Sequence, residues 1–235
     1  MLSIQENVRS VLGRIASAAG RAGRNPDSVA LMAAVKVRSP EEITAAVEAG
    51  VTHLGENRLQ EGLDHLAHLP PKLPRNCTLH FIGTLQSNKA RKVLKAFHSV
   101  DSVSSLSLAE RLSRIAVEEG LTREAMVEIN LGEENAKTGA PPEDTALLAG
   151  KVNALPGLRL TGLMGMPPYF EDPEKVRPCF KRMRRLWEDV RVRLENPEGF
   201  RWLSMGMSHD FEVAVEEGAT LVRVGTALFG PRRTS

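Results

Sequence analysis

Short apolar, β-branched runs alternate with longer stretches whose apolar residues recur at helical spacing. That alternation predicts strands and helices in turn. A helix is predicted over about residues 3–22 and a strand over 29–36. Ser39-Pro40-Glu41-Glu42 then offers a cap, a first-turn proline and a capping-box glutamate, opening a helix that ends at Gly50. A strand at 53–56 precedes a helix to about residue 66, and one at 79–82 precedes a helix from about Ser87. A strand at 99–103 precedes a helix opened by a second capping box, Ser107-Leu108-Ala109-Glu110. The strand at 126–130 leads through a loop with Gly132 and Gly139 into a helix from about Pro142. Strand 158–164 passes through Pro167-Pro168 to a long helix over about 174–194. Strand 202–205 precedes a helix from about His209, and the last strand, 221–224, runs into Gly225.

Eight strands result, the first seven each followed by a helix, with a spare helix in front. An unbroken series of this kind predicts the α/β class, as a single (β/α)8 TIM barrel with an extra N-terminal helix. The leading helix is expected to cover the gap after strand eight. No linker or shift of composition interrupts the chain, so one barrel domain is expected over residues 1–235.

Composition narrows the function classes. Hydrophobic residues make up 42% and charged residues 26%, which is ordinary for a soluble globular protein. Net charge is only +2, and the cluster Lys181-Arg182 with Arg184-Arg185 is interleaved with Phe180, Met183, Leu186 and Trp187. That pattern reads as the solvated face of an amphipathic helix rather than a nucleic-acid patch. Aromatic residues, at 4%, are too few for a single-strand stacking platform. Cys77 and Cys179 have no metal-like spacing and read as free thiols of a reducing compartment. The opening Met1-Leu2-Ser3-Ile4-Gln5-Glu6-Asn7 lacks the basic and long apolar regions of a secretory signal. No run approaches the roughly 20 apolar residues of a membrane span. A cytoplasmic setting is expected, with neither nucleic acid nor membrane as partner. No large exposed apolar stripe is evident, so a monomer is expected.

Barrel chemistry sits at the carboxyl ends of the strands. Lys36 closes the apolar run Leu31-Met32-Ala33-Ala34-Val35. Burial there would push its pKa below the usual value of roughly 10.4 and make the amine a nucleophile and Schiff-base former. The alternative is a lysine that snorkels out at the rim. Asn57, in Gly55-Glu56-Asn57, is either a helix cap or a site residue. His80, alone, reads as a satisfied core histidine. Ser208 and Thr226 follow strands seven and eight, where barrels hold phosphate, and Gly225 lets backbone amides approach a ligand. Taken one at a time, both hydroxyls also read as plain caps. Arg223 lies between two valines, on the opposite face from them. A buried guanidinium needs a partner, either a carboxylate such as Glu56 or Glu128 or a ligand.

Together these motifs resemble the pyridoxal phosphate homeostasis protein family, which is related to the barrel domain of alanine racemases. The resemblance is carried by Ala34-Val35-Lys36, Gly55-Glu56-Asn57-Arg58, the run from His80 through Gly83, Gln86 and Asn88 to Lys89, Ser204-Met205-Gly206-Met207-Ser208-His209-Asp210, and Val222-Arg223-Val224-Gly225-Thr226. It extends from about residue 4 to residue 231. It implies that Lys36 carries pyridoxal 5′-phosphate as an internal aldimine and that Ser208, Gly225 and Thr226 hold the phosphate. It further implies that Arg223 faces the pyridine nitrogen, that Asn57 lies close to the ring, and that Met164 and Met205 line the pocket. Its role would be maintenance of vitamin B6 and of amino- and keto-acid balance, with cofactor-dependent apo-enzymes as recipients and no dedicated reaction. The chain departs from the family in lacking small hydroxyl residues directly beside the lysine, where it has Val35 and Val37.

An arginine beside the ring nitrogen disfavours the protonation that pyridoxal catalysis relies on. Racemases in addition draw a tyrosine from a further β domain, and the lone Tyr169 matches no such motif. A slow amino-acid racemase with another second base stands as one alternative. A Schiff-base aldolase acting on phosphorylated sugars, without the cofactor, stands as another.

Overall fold

The described residues of this computed structural model, 3–69, 77–132 and 138–231, form eight parallel strands that close on one another in chain order. They are β1 (Ala30–Ala34), β2 (His53–Glu56), β3 (Thr78–Phe81), β4 (Ser99–Val103), β5 (Arg123–Asn130), β6 (Leu158–Met166), β7 (Trp202–Ser204) and β8 (Leu221–Val224). Closure is made by β8 against β1, with Leu31 beside Val222 and Met32 beside Arg223. One α-helix follows each strand: α2 (Pro40–Glu48), α3 (Leu59–His68), α4 (Ala90–Ala96), α5 (Leu106–Glu118), α6 (Thr145–Asn153), α7 (Arg177–Arg191), α8 (Phe211–Glu216) and the short α9 (Thr226–Phe229). In front of them runs α1 (Ile4–Arg21). The architecture is the expected (β/α)8 TIM barrel with an extra N-terminal helix. Met1 and Leu2, the head of the segment read against a secretory signal, lie outside the described residues.

Local chemistry explains most helix starts. Ser3 and Glu6 form a reciprocal capping box at α1, and Ser39 and Glu42 form the predicted one at α2 with Pro40 in its first turn. The box predicted at 107–110 does not form. Ser105, in extended conformation, accepts the N–H of Leu108 and caps α5 instead. Ser107 is already helical, and an N-cap needs non-helical backbone angles.

Val8, Val11, Ile15, Ala18 and Ala19 form the buried stripe of α1. It packs against α8, α9 and α2, so it fills the ring position that four-residue α9 leaves open. On α7, Phe180, Met183, Trp187 and Val190 are buried while Lys181, Arg182 and Arg185 face solvent, as the interleaved pattern implied. Both cysteines are free thiols. Among the described residues no helix is long and apolar enough to cross a membrane.

The barrel interior is layered. Met32, Met126, Met164 and Leu221 make a small apolar cluster inside the sheet. Beside it runs a polar chain in which His80 Nδ1 lies 2.9 Å from Asp101 Oδ2 and His80 Nε2 lies 2.9 Å from His53 Nδ1. Ser99 donates its hydroxyl to the same aspartate. His80 is therefore the satisfied core histidine that its position suggested. Burial, aided by the neighbouring His80, pushes His53 down to about 4.

Candidate functional site

β1 stops at Ala34, two residues short of the predicted end. Val35 still donates its N–H to Gly55, but Arg38 then donates back to Val35 and closes a turn. Lys36 thus sits in a turn beyond the strand rather than at its buried end. The next residue, Val37, has φ 58°, the one non-glycine with positive φ among the described residues. A β-branched residue in that region is a steric outlier costing on the order of 1–3 kcal/mol. Its N–H donates to Glu61 Oε2 at 3.2 Å, and the same carboxylate is held by Arg58 at 2.9 Å. α3 thereby fixes the turn that presents Lys36.

Lys36 opens onto a cavity of about 300 Å³ at the carboxyl ends of the strands. Asn57, Met164, Ser208, Arg223, Gly225 and Thr226 also line it, so seven of the eight predicted site residues converge there. The eighth, Met205, does not. It is fully buried in the main core, off the cavity wall. It follows β7 on the outward parity, and Gly206, at φ 90°, then turns the chain so that Met207 reaches the cavity instead.

Asn57 is not a helix cap. Arg58 occupies that position at α3 without a side-chain bond. Instead the Asn57 backbone lies against Gly83, where an added Cβ would sit 2.0 Å from the Asn57 carbonyl oxygen. Ser208 is not a cap either, since α8 begins after Asp210. Its Oγ accepts the N–H of Gly225 at 3.1 Å and of Ala227 at 3.2 Å. Two amides of the loop after β8 thus converge on one oxygen from the loop after β7. Asp210 supports this loop by accepting the Met207 N–H, and burial raises its pKa.

Arg223 points into the barrel and is buried. Nη1 donates to the carbonyl and hydroxyl of Ser204 at 2.8 and 2.7 Å, and Nη2 donates to the Gly165 carbonyl at 2.9 Å. Neither expected carboxylate pairs with it: Glu56 is bonded to His65 and Glu128 to the Thr138 hydroxyl. Its hydrogen-bond partners among the described residues are neutral, which leaves its charge available to the cavity. Burial lowers its pKa, while Asp101, Glu128 and Asp210 act in the opposite sense through space. Burial raises the pKa of Glu128 in turn.

Sequence reasoning missed Ala34, Arg38, Ile82, Met166, Met207 and His209 in the wall. Met166 shares strand parity with Met164 and was legible on that ground. Arg38 stands in a polar stretch that marks nothing out. Its guanidinium donates to the Phe229 and Gly230 carbonyls at 3.2 and 2.8 Å. The wall therefore carries three permanently or ordinarily cationic side chains, Lys36, Arg38 and Arg223, and no carboxylate among its described residues. That arrangement suits an anion with a group that an amine can attack. No cluster of three His, Cys, Asp or Glu suited to a metal ion occurs among the described residues.

Comparison with known proteins agrees with this geometry. The family described as "Alanine racemase, N-terminal domain" matches residues 9–233. A pyridoxal phosphate homeostasis protein of Pseudomonas aeruginosa is 42% identical, over 99% of this chain and 97% of its own length. One from Aquifex aeolicus is 39% identical, over 97% and 98%. The solved structure of PipY from Synechococcus elongatus with PLP bound superposes with a TM-score of 0.80 at 35% identity, covering 97% of this chain and all (100%) of that one.

Proposed function

This chain belongs to the pyridoxal phosphate homeostasis protein family, and on that premise we propose that it binds pyridoxal 5′-phosphate on Lys36. It holds the cofactor as a Schiff base and serves intracellular vitamin B6 and amino- and keto-acid homeostasis without a dedicated reaction. One observation carries the reading: Lys36 lines one cavity with Ser208, Gly225 and Thr226 of the loops after the last two strands, and with Arg38 and Arg223.

The residues present fit the group. A phosphate needs donors, and the Ser208 and Thr226 hydroxyls line the cavity at the loops where barrels hold phosphate; Ser208 Oγ, already accepting the Gly225 and Ala227 amides, has its own hydrogen left to donate. Gly225 keeps that cradle open, since a Cβ there would lie 3.3 Å from the Ala34 carbonyl. Ile82 and Met164 offer apolar walls for a ring, and Asn57 a polar neighbour for it. Bound pyridoxal phosphate supplies an electron sink. Arg223, placed by the family resemblance beside the ring nitrogen, keeps its charge and opposes a proton there. Ser208 holds, Lys36 attaches and Arg223 quiets, which supports a carrier rather than a catalyst.

In this reading the chain acts in the cytoplasm as a monomer, with cofactor-dependent apo-enzymes as recipients. Burial raises the Cys77 thiol to about 11, which keeps it protonated and unreactive at neutral pH. A second reading, a slow amino-acid racemase, is favoured by His209, an imidazole in the cavity wall with the Tyr169 ring 5.2 Å away.

The test is the visible spectrum of purified protein with added pyridoxal phosphate, beside Lys36→Ala. A band near about 420 nm, fixed onto Lys36 by borohydride and absent in the variant, is expected. No band in the wild-type chain sinks the reading. Amino-acid turnover lost in both Lys36→Ala and His209→Ala would turn it toward the racemase.

A further inference from the structure

A buried pair that the site does not use stands directly behind the Lys36 turn. Glu56, the last residue of β2, places Oε1 2.5 Å from Nδ1 of His65 on α3. The other imidazole nitrogen, Nε2, lies 2.8 Å from the backbone carbonyl of Arg38. All three residues are buried. A carbonyl only accepts, so Nε2 carries its hydrogen. With Nε2 so occupied, a further proton between Nδ1 and Oε1 is what joins the pair. Glu56 Oε2 is buried and has no partner. The carboxyl is thus turned wholly toward the histidine. Gly62 makes the approach possible, because a Cβ there would press on Phe97 at 2.7 Å and on Glu56 Cγ at 3.3 Å.

The Arg38 carbonyl belongs to the segment that follows Lys36 and strained Val37. Glu61, from the same helix, holds the Val37 amide. α3 therefore grips the turn twice, once at an N–H and once at a carbonyl. We propose that Glu56 and His65 are positioning residues: their shared proton fixes the bond from His65 Nε2 to the Arg38 carbonyl, and this clamp sets how fast the Lys36 site takes up and releases its carbonyl ligand. The clamp itself is a property of the unloaded chain; its effect on ligand exchange rests on the cofactor reading above.

Loss of the shared proton changes the clamp in a definite direction. A carboxylate facing a bare Nδ1 is repulsive, so the remaining hydrogen moves to Nδ1 and Nε2 turns its lone pair on the Arg38 carbonyl. The charged groups around the pair are Glu61 and Arg58 from the α3 end and Arg38 with Glu42 from the turn and α2. The rest of its surroundings is apolar: Val35, Ile43, Leu54, Leu69 and Phe97.

The experiment compares wild type with His65→Leu and Glu56→Gln, each first shown to be folded by its unfolding transition. In the unloaded chain, amide exchange at residues 36–39 and the 15N shifts of His65 read the clamp directly. In the loaded chain, transfer of pyridoxal phosphate to an excess of a cofactor-free aminotransferase reads the release rate. His65→Leu is expected to speed both exchange and release about tenfold. Glu56→Gln keeps an N–H donor for Nδ1, so it should retain slow exchange and Nε2 protonation. Release from the wild type is expected to rise with pH as the shared proton is lost, and release from Glu56→Gln is expected to lack that rise. Unchanged amide exchange in His65→Leu, or Glu56→Gln behaving like it, overturns the clamp. Failure of the wild type to bind pyridoxal phosphate overturns the cofactor reading and leaves the amide-exchange result standing.

Discussion

The Ser208 hydroxyl and the Gly225 amide meet at 3.1 Å, joining the loops after the last two strands across the mouth of the barrel. The bond sets both the spacing of those loops and the donors available to an anion. Ser208→Ala should weaken binding of pyridoxal phosphate about tenfold or more, as expected for charge-assisted hydrogen bonds. Binding of pyridoxal, which lacks the phosphate, should change little. Parallel absorbance titrations with the two aldehydes check this, and an equal loss for both would place Ser208 away from the phosphate.

Val37 carries backbone strain that its side chain does nothing to relieve. Val37→Gly should remove that strain, on the order of 1–3 kcal/mol, while freeing the unfolded chain at a cost of about 1 kcal/mol, so stability should stay near wild type or rise. Val37→Pro should destabilise strongly, because it loses the N–H bonded to Glu61 and its ring cannot adopt positive φ. Urea midpoints of the two variants should therefore fall on opposite sides of a wide gap, with the glycine variant near or above wild type.

Gly83→Ala should be among the most damaging single-methyl changes in the chain. Its Cβ would fall 2.0 Å from the Asn57 carbonyl, a backbone atom that cannot swing aside. A loss of about 3 kcal/mol or more in unfolding free energy is expected, with Asn57 displaced from the cavity wall. A stable variant with unaltered ligand binding would show that the two loops yield more easily than their packing implies.

His53 should make the fold acid-sensitive. Its folded pKa lies near 4 against an ordinary value of 6.5. Between those values the unfolded chain binds the proton and the folded chain does not, so stability falls as pH drops through that window. Buried Glu56, Glu128 and Asp210 have raised pKa values and act in the opposite direction. The measurement is accordingly a difference: denaturation of wild type and His53→Gln from pH 7 to pH 4. The gap between them should close as pH falls.

Strand order and the α1 supplement were legible because alternation and capping are local. Lys36 and Arg223 were legible because a charge beside an apolar run is costly unless it has work to do. Ser208 was found by position, but not its partners, since they are amides of a loop distant in sequence. Met205 came from the family resemblance, and strand alternation gave no warning that it packs into the core, since the turn at Gly206 brings Met207 to the cavity instead. The strain at Val37 gave no signal at all, valine being an ordinary strand residue. Glu56 and His65 are nine positions apart across a strand–helix corner, a spacing that no periodicity marks.

The placement of α1 has a consequence for the making of the protein. Its partners lie on α8 and α9, and Asn7 donates to the Leu228 carbonyl 221 positions away. A ribosome releases α1 long before those partners. Until they appear, the stripe from Val8 to Ala19 lacks the α8 and α9 surfaces against which it packs in the finished barrel. Long-range pairing of this kind folds slowly and leaves apolar surface exposed meanwhile. The nascent barrel therefore waits, sticky along α1, until α8 and α9 have been made.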